Sequence, residues 1–179
     1  MSEKIYLYHK VPKEMKGTIL YPLNQLRDIF PEIYDAEVKK YEHRESILER
    51  RIPILGCLWN DVLHLSPVHP QQIKDALLKL GYHDFEYKFY QLDADSINPS
   101  EAVIYTYEHA QPLGGVDVKD FIPYTKDKIS TLNNITETTT KYFQDKLSRG
   151  EEPLLFYGVP HILVKHNIDI TDVPIIGTV

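Results

Sequence analysis

An α+β fold with mainly antiparallel sheets flanked by helices is the architecture that this 179-residue sequence predicts. Three observations point to it. Segments with two-residue alternation and segments with helical spacing do not take turns along the chain. They run strand, helices, strand, helix, strands, helix, strands, which suits segregated elements rather than a doubly wound sheet. Neither a GxGxxG nor a Walker-type phosphate loop occurs, which disfavours a Rossmann-type dinucleotide site. No repeat, low-complexity tract or linker divides the chain, so residues 1–179 read as one globular domain with enough length to bury a core.

Residues 4–11, KIYLYHKV, alternate as a strand with Ile5 and Leu7 on one face, and Pro12 closes it. Helical spacing starts at Leu23 with Leu26, Ile29 and Phe30. Pro31 interrupts it, because a proline ring clashes with the preceding turn, and a second helical part is expected from Glu32 to Arg51. Val62 to Leu65 is a short apolar run ended by Pro67. The following helix opens at Pro70, presents Ile73, Ala76, Leu77 and Leu80 on one face, and stops at Gly81. Phe85 to Leu92 alternates rings with polar residues as a strand would, and Ala102 to Tyr107 is a second strand. The stretch from His109 to Asp117, with Pro112 and Gly114-Gly115, is a loop, and Lys119 to Ile129 stays ambiguous. Thr131 to Arg149 has the Ile135, Thr139, Tyr142, Phe143 and Leu147 spacing of a helix. Leu154 to Tyr157 reads as a strand, Ile162 to Val164 continues extended, and Val173 to Ile176 reads as an edge strand.

Composition narrows the function classes. With 26 acidic against 20 basic residues the net charge is −6, which argues against an extensive nucleic-acid surface but leaves room for a small nucleotide in a local pocket. The N-terminus lacks the apolar centre of a signal peptide, and no run approaches the ~20 apolar residues of a membrane span. No membrane partner and a cytoplasmic location are therefore expected. The single cysteine, Cys57, lies between leucines and reads as core filling.

The candidate chemistry gathers at three places. His64, Ser66 and His69 stand where the central strand meets the helix that opens at Pro70, and a helix N-terminus favours an anionic group. His9 lies at the end of the first strand. Glu151 and Glu152 precede the apolar run at Leu154. The pairs His64/His69 and His161/His166 lack the ligand set of a metal site, so no metal is assigned. Ser66 lacks the glycines of a nucleophile elbow.

The pieces YLYHKV (6–11), VLHLSPVHPQQIKDAL (62–77) and EEPLLFYGVPHILV (151–164), in this order, resemble the ADP-ribosyltransferase-like fold. Its relevant branch includes poly-ADP-ribose polymerases, diphtheria-type toxins and RNA 2′-phosphotransferases. The resemblance implies NAD or a ribose phosphate as the small-molecule nucleotide, with an acceptor that stays unspecified. It implies His9 as the ribose contact, Ser66 as the polar residue of the second motif with His64 and His69 beside it, and Glu152 as the catalytic carboxylate. A carboxylate in a dry pocket stabilises the positive charge that develops on ribose as nicotinamide leaves. The sequence departs from the pattern in having no tyrosine in the second motif and Gly150 two residues before Glu152, and Glu151 competes for the same role. The reading from a different class is a nucleotide-binding or protein-interaction domain that breaks no bond, with His9, Arg51 or His69 as contacts.

Overall fold

The computed structural model describes residues 3–109 and 115–179. Two antiparallel sheets carry the architecture. The first is three-stranded, in the order β1 (Tyr6–Lys10), β6 (Phe89–Asp93), β11 (Ile175–Ile176). The second is four-stranded, in the order β5 (Leu63–Leu65), β9 (His161–Val164), β7 (Ala102–Tyr105), β8 (Phe121–Pro123). Two-stranded ribbons pair β2 (Ile19–Leu20) with β10 (Ile168–Asp169) and β3 (Arg51–Ile52) with β4 (Cys57–Leu58). A reciprocal pair of backbone hydrogen bonds between Tyr8 and Ser66, both 2.8 Å, ties the end of β5 to β1.

Strand alternation sorts the side chains into separate cores. Leu7 of β1, Leu63 and Leu65 of β5, Ile104 of β7 and Ile162 and Val164 of β9 share one cluster between the sheets. The opposite face of the larger sheet buries Val103, Tyr105 and Leu163 with Trp59, Ile52 and Cys57. On the other face of the smaller sheet, Tyr8 and Phe89 pack against helices α3 (Pro70–Lys79) and α5 (Glu137–Ser148) through Ile73, Leu77 and Phe143. Each fully buried Leu, Ile or Phe contributes about 1.5–3 kcal/mol of transfer free energy. β7 and β9 are therefore apolar on both faces, as strands covered on both sides must be.

The proline break falls where expected, between α1 (Leu23–Ile29) and α2 (Pro31–Val38). Gly81 ends α3 with a left-handed φ of 82°, and β11 is the edge strand anticipated at Val173–Ile176.

Four expectations are corrected. The helix from Glu32 does not reach Arg51. It stops at Val38, and two short 3-10 turns follow, separated by His43 with φ 66°. Ile33 alone is buried in α2, so little apolar surface favours a longer rod. The ring-rich stretch Phe85–Lys88 lies outside any strand, because Phe85 goes into the helix-facing core rather than along a ladder. Leu154–Tyr157 is a turn. Side chains of α5 take over its backbone bonding: the Leu154 N–H donates to Tyr142 Oη (3.1 Å), and Thr139 Oγ1 donates to the Tyr157 carbonyl (2.9 Å).

Helix α5 also starts later than Thr131. Thr136 caps it, with its hydroxyl accepting from the Thr139 N–H. The ambiguous stretch resolves into β8 and α4 (Lys126–Ser130). Part of the loop expected over His109–Asp117 lies outside the described residues. Among the described residues no helix is long and apolar enough to cross a membrane.

Candidate functional site

A cleft opens where the C-terminal end of β1 faces the ends of β5 and β9. Helix α2 and the 3-10 turn Trp59–Asp61 close its sides. It has an inner lobe of about 330 Å³ and an outer lobe of about 650 Å³, sizes in the range of small-molecule sites. Both lobes are bordered by His9, His64 and His161 together with Glu37 and Lys40. The inner lobe adds apolar and aromatic walls, among them Tyr21, Phe30, Tyr41 and Trp59. The outer lobe adds Lys10, Lys13 and Ser66.

The chain path explains why three histidines converge. His9 lies two residues beyond Leu7 on the same face of β1, just past the core between the sheets. His64 alternates with Leu63 and Leu65 and so points away from that core. His161 opens β9, with its ring centroid 5.9 Å from that of His64 and 5.3 Å from that of Tyr107.

Desolvation is the largest influence on all three imidazoles and favours their neutral form. It lowers His9 to about 4, with the nearby Lys10 backbone opposing and the Lys40 charge assisting. It lowers His64 to about 3, helped by His161, and His161 to about 4, where bonds to the Pro160 and Val159 backbone oppose it. At neutral pH the cleft therefore holds three uncharged imidazoles, each able to offer a ring lone pair.

The outer lobe carries three lysines, Lys10, Lys13 and Lys40, against two carboxylates, Glu14 and Glu37. Burial lowers the Lys10 pKa most, and repulsion from Lys13 lowers it further. The Lys10 ammonium sits 3.7 Å over the Tyr87 ring. Lys40 has a partner in Glu37 at 3.5 Å.

Two buried polar atoms of the inner lobe, His9 Nδ1 and Asn60 Nδ2, have no hydrogen-bond partner among the described residues. An unsatisfied buried polar atom costs about 1–3 kcal/mol. Buried polar atoms normally find a partner, so two without a protein partner beside one cleft mark it as a candidate ligand site.

Of the residues singled out in the sequence, the structure brings His9, His64 and Ser66 to this cleft. Ser66 is 3% exposed and already occupied: its hydroxyl donates to the Val68 carbonyl (3.1 Å) and accepts from the Val68 N–H (3.0 Å). His69 stays outside the lining and caps α3, with Nδ1 accepting from the Gln71 N–H at 3.1 Å. Arg51 is exposed on β3 beside Cys57 and Asp61.

Glu152 is exposed on the loop after α5 and does not line the cleft, although its charge is felt by Lys10 and Tyr82. Glu151 pairs with Lys146 and Arg149 at the end of α5. The residue that opens the late strand and faces the cleft is His161, and the carboxylates on the lining are Glu14 and Glu37.

The sequence left Asn60, Tyr41, Glu37 and Lys40 without a role. Asn60 carries no periodic signal because it sits in a three-residue turn, and Glu37 and Lys40 resemble an ordinary solvated helix face. His161 had a visible signal in its place directly after Gly158-Val159-Pro160 at the start of an apolar run. Among the described residues no group of three or more His, Cys, Asp or Glu could hold a metal ion. Comparison with known proteins finds no matching family, no matching characterised relative and no matching solved structure.

Proposed function

We propose that this protein binds a nucleotide of the NAD class, with the heterocycle among the aromatic walls of the inner lobe and the phosphates toward the lysines of the outer lobe. The observation that carries this reading is His9 Nδ1, buried without a partner where the two lobes meet. A neutral imidazole there suits a ribose hydroxyl, which can both donate and accept. The aromatic-to-basic polarity of the cleft matches a ligand that is flat at one end and anionic at the other.

The test is thermal stability with and without NAD, ATP and ADP-ribose. Ligand at 100 times its dissociation constant stabilises by about 2.7 kcal/mol. An increase with NAD that disappears in His9→Ala supports the reading, and no increase with any of the three rejects it.

A second reading, ADP-ribosyl transfer, is favoured by a lining carboxylate, because Glu37 borders both lobes. In that reading Glu37 holds the position opposite the developing ribose charge. Nicotinamide release that survives Glu152→Gln and collapses in Glu37→Gln supports it. Release that collapses in Glu152→Gln returns the role to Glu152, and no release leaves binding as the function.

A further inference from the structure

We propose that Asn60 is the specificity-determining residue of the cleft, its side-chain N–H group donating to an acceptor atom on the heterocycle of the bound nucleotide. The assignment rests on the nucleotide reading and goes further, since it names the part of the ligand that is read and the polarity of the contact.

Asn60 is 2% exposed, yet it borders the inner lobe. Its two polar atoms have different fates. Tyr41 Oη donates to Oδ1 at 2.9 Å, whereas Nδ2 has no partner among the described residues. A residue retained for packing alone would be apolar or paired at both atoms, because an orphaned buried donor is costly.

The turn that carries Asn60 is secured on both sides. The Trp59 N–H donates to the Arg50 carbonyl (2.7 Å), and the Trp59 carbonyl accepts from His64 Nε2 (2.8 Å). Asp61 accepts from the Leu58 N–H (2.7 Å) and from Asn24 Nδ2 (2.8 Å). The neighbours are satisfied and rigid, while the amide N–H group between them is held in place with its bonding capacity unspent. Preorganised donors of this kind read a ligand's acceptors.

The complementary group is a ring nitrogen or an exocyclic carbonyl on a flat heterocycle, flanked by Trp59 and Tyr41. The nicotinamide carboxamide and the adenine edge both present such an acceptor.

The experiment measures binding of nicotinamide mononucleotide and of AMP to the wild type, to Asn60→Asp, and to the double variant Tyr41→Phe/Asn60→Leu. The tighter-binding mononucleotide identifies the heterocycle. Asn60→Asp sets an acceptor against an acceptor and should weaken that ligand at least tenfold. The double variant removes both members of the hydrogen bond and the orphaned donor, so it should lose the ligand while its ligand-free melting temperature stays level or rises. A purely structural role predicts a fall instead. Wild-type affinity in both variants overturns the assignment and leaves the nucleotide reading standing. Failure of the wild type to bind either mononucleotide, or NAD, overturns both.

Discussion

Trp59 and His64 are joined twice: their ring centroids lie 4.8 Å apart, and His64 Nε2–H donates to the Trp59 carbonyl at 2.8 Å. A carbonyl only accepts, so the proton of the neutral imidazole resides on Nε2 and the lone pair on Nδ1. His64 should therefore show the neutral Nε2–H tautomer in nitrogen NMR at pH 5, well above its lowered pKa of about 3. An imidazolium signature at that pH would contradict the geometry.

The three cleft histidines also shape the stability profile. Their folded pKa values, about 4, 3 and 4, lie below the unfolded value near 6.5. Between these limits the unfolded chain binds more protons, so stability rises with pH. Urea denaturation of the ligand-free protein should show stability falling as pH drops from 6.5 toward 4, by on the order of 2 kcal/mol for each histidine. Replacing His64 with Phe should flatten that slope, and a slope that is unchanged would refute the cause.

Gly158 is the tightest point of the turn before β9. Its φ is 72°, and a Cβ there would approach Thr139 Oγ1 to 2.9 Å. Thr139 is fully buried and uses that hydroxyl to hold the Tyr157 carbonyl. Gly158→Ala combines left-handed strain with a clash and should destabilise by roughly 2–3 kcal/mol in chemical denaturation. Adding Thr139→Ala to it should recover part of the loss less than additively, since both changes act on one contact.

Asp120 is fully buried at the edge of the larger sheet. It accepts from the His109 N–H (2.9 Å) and its Oδ1 lies 2.6 Å from His109 Nδ1. Asp120→Ala leaves those donors unpaired and should cost about 2–4 kcal/mol. The same contact raises the His109 pKa, chiefly through the hydrogen bond. Its contribution is therefore complete below pH 6.5 and lost as pH rises through the raised value. His109→Gln should remove that alkaline loss while leaving the acid limb set by the cleft histidines, as measured by melting temperature against pH.

Much of the fold was legible because its signals are local. Pro31, Pro70 and Gly81 punctuate helices through backbone constraints that tertiary contacts rarely override. The apolar run at Ile162–Val164 is a sheet strand covered on both faces, and Val62–Leu65 is one whose leucines face the core while His64 turns to the cleft. The errors came where side chains replaced ladder partners. Tyr142 and Thr139 serve the backbone of Leu154–Tyr157, which turned an expected strand into a turn and moved Glu152 away from the strand entrance. His9 and His64 were visible as polar residues ending or interrupting apolar runs. Asn60 was not, since its significance lies in a hydrogen bond from Tyr41, nineteen residues away, and in a bond it does not make.

The crossing between Tyr8 and Ser66 brings the two sheets together at the mouth of the cleft. His9 is carried by one sheet and His64 and His161 by the other, and the backbones meet there through two reciprocal bonds. The core that the two sheets share, with Leu7 and Leu92 on one side and Leu63, Leu65 and Ile162 on the other, holds that crossing, so the spacing of the imidazoles is inherited from packing outside the cleft.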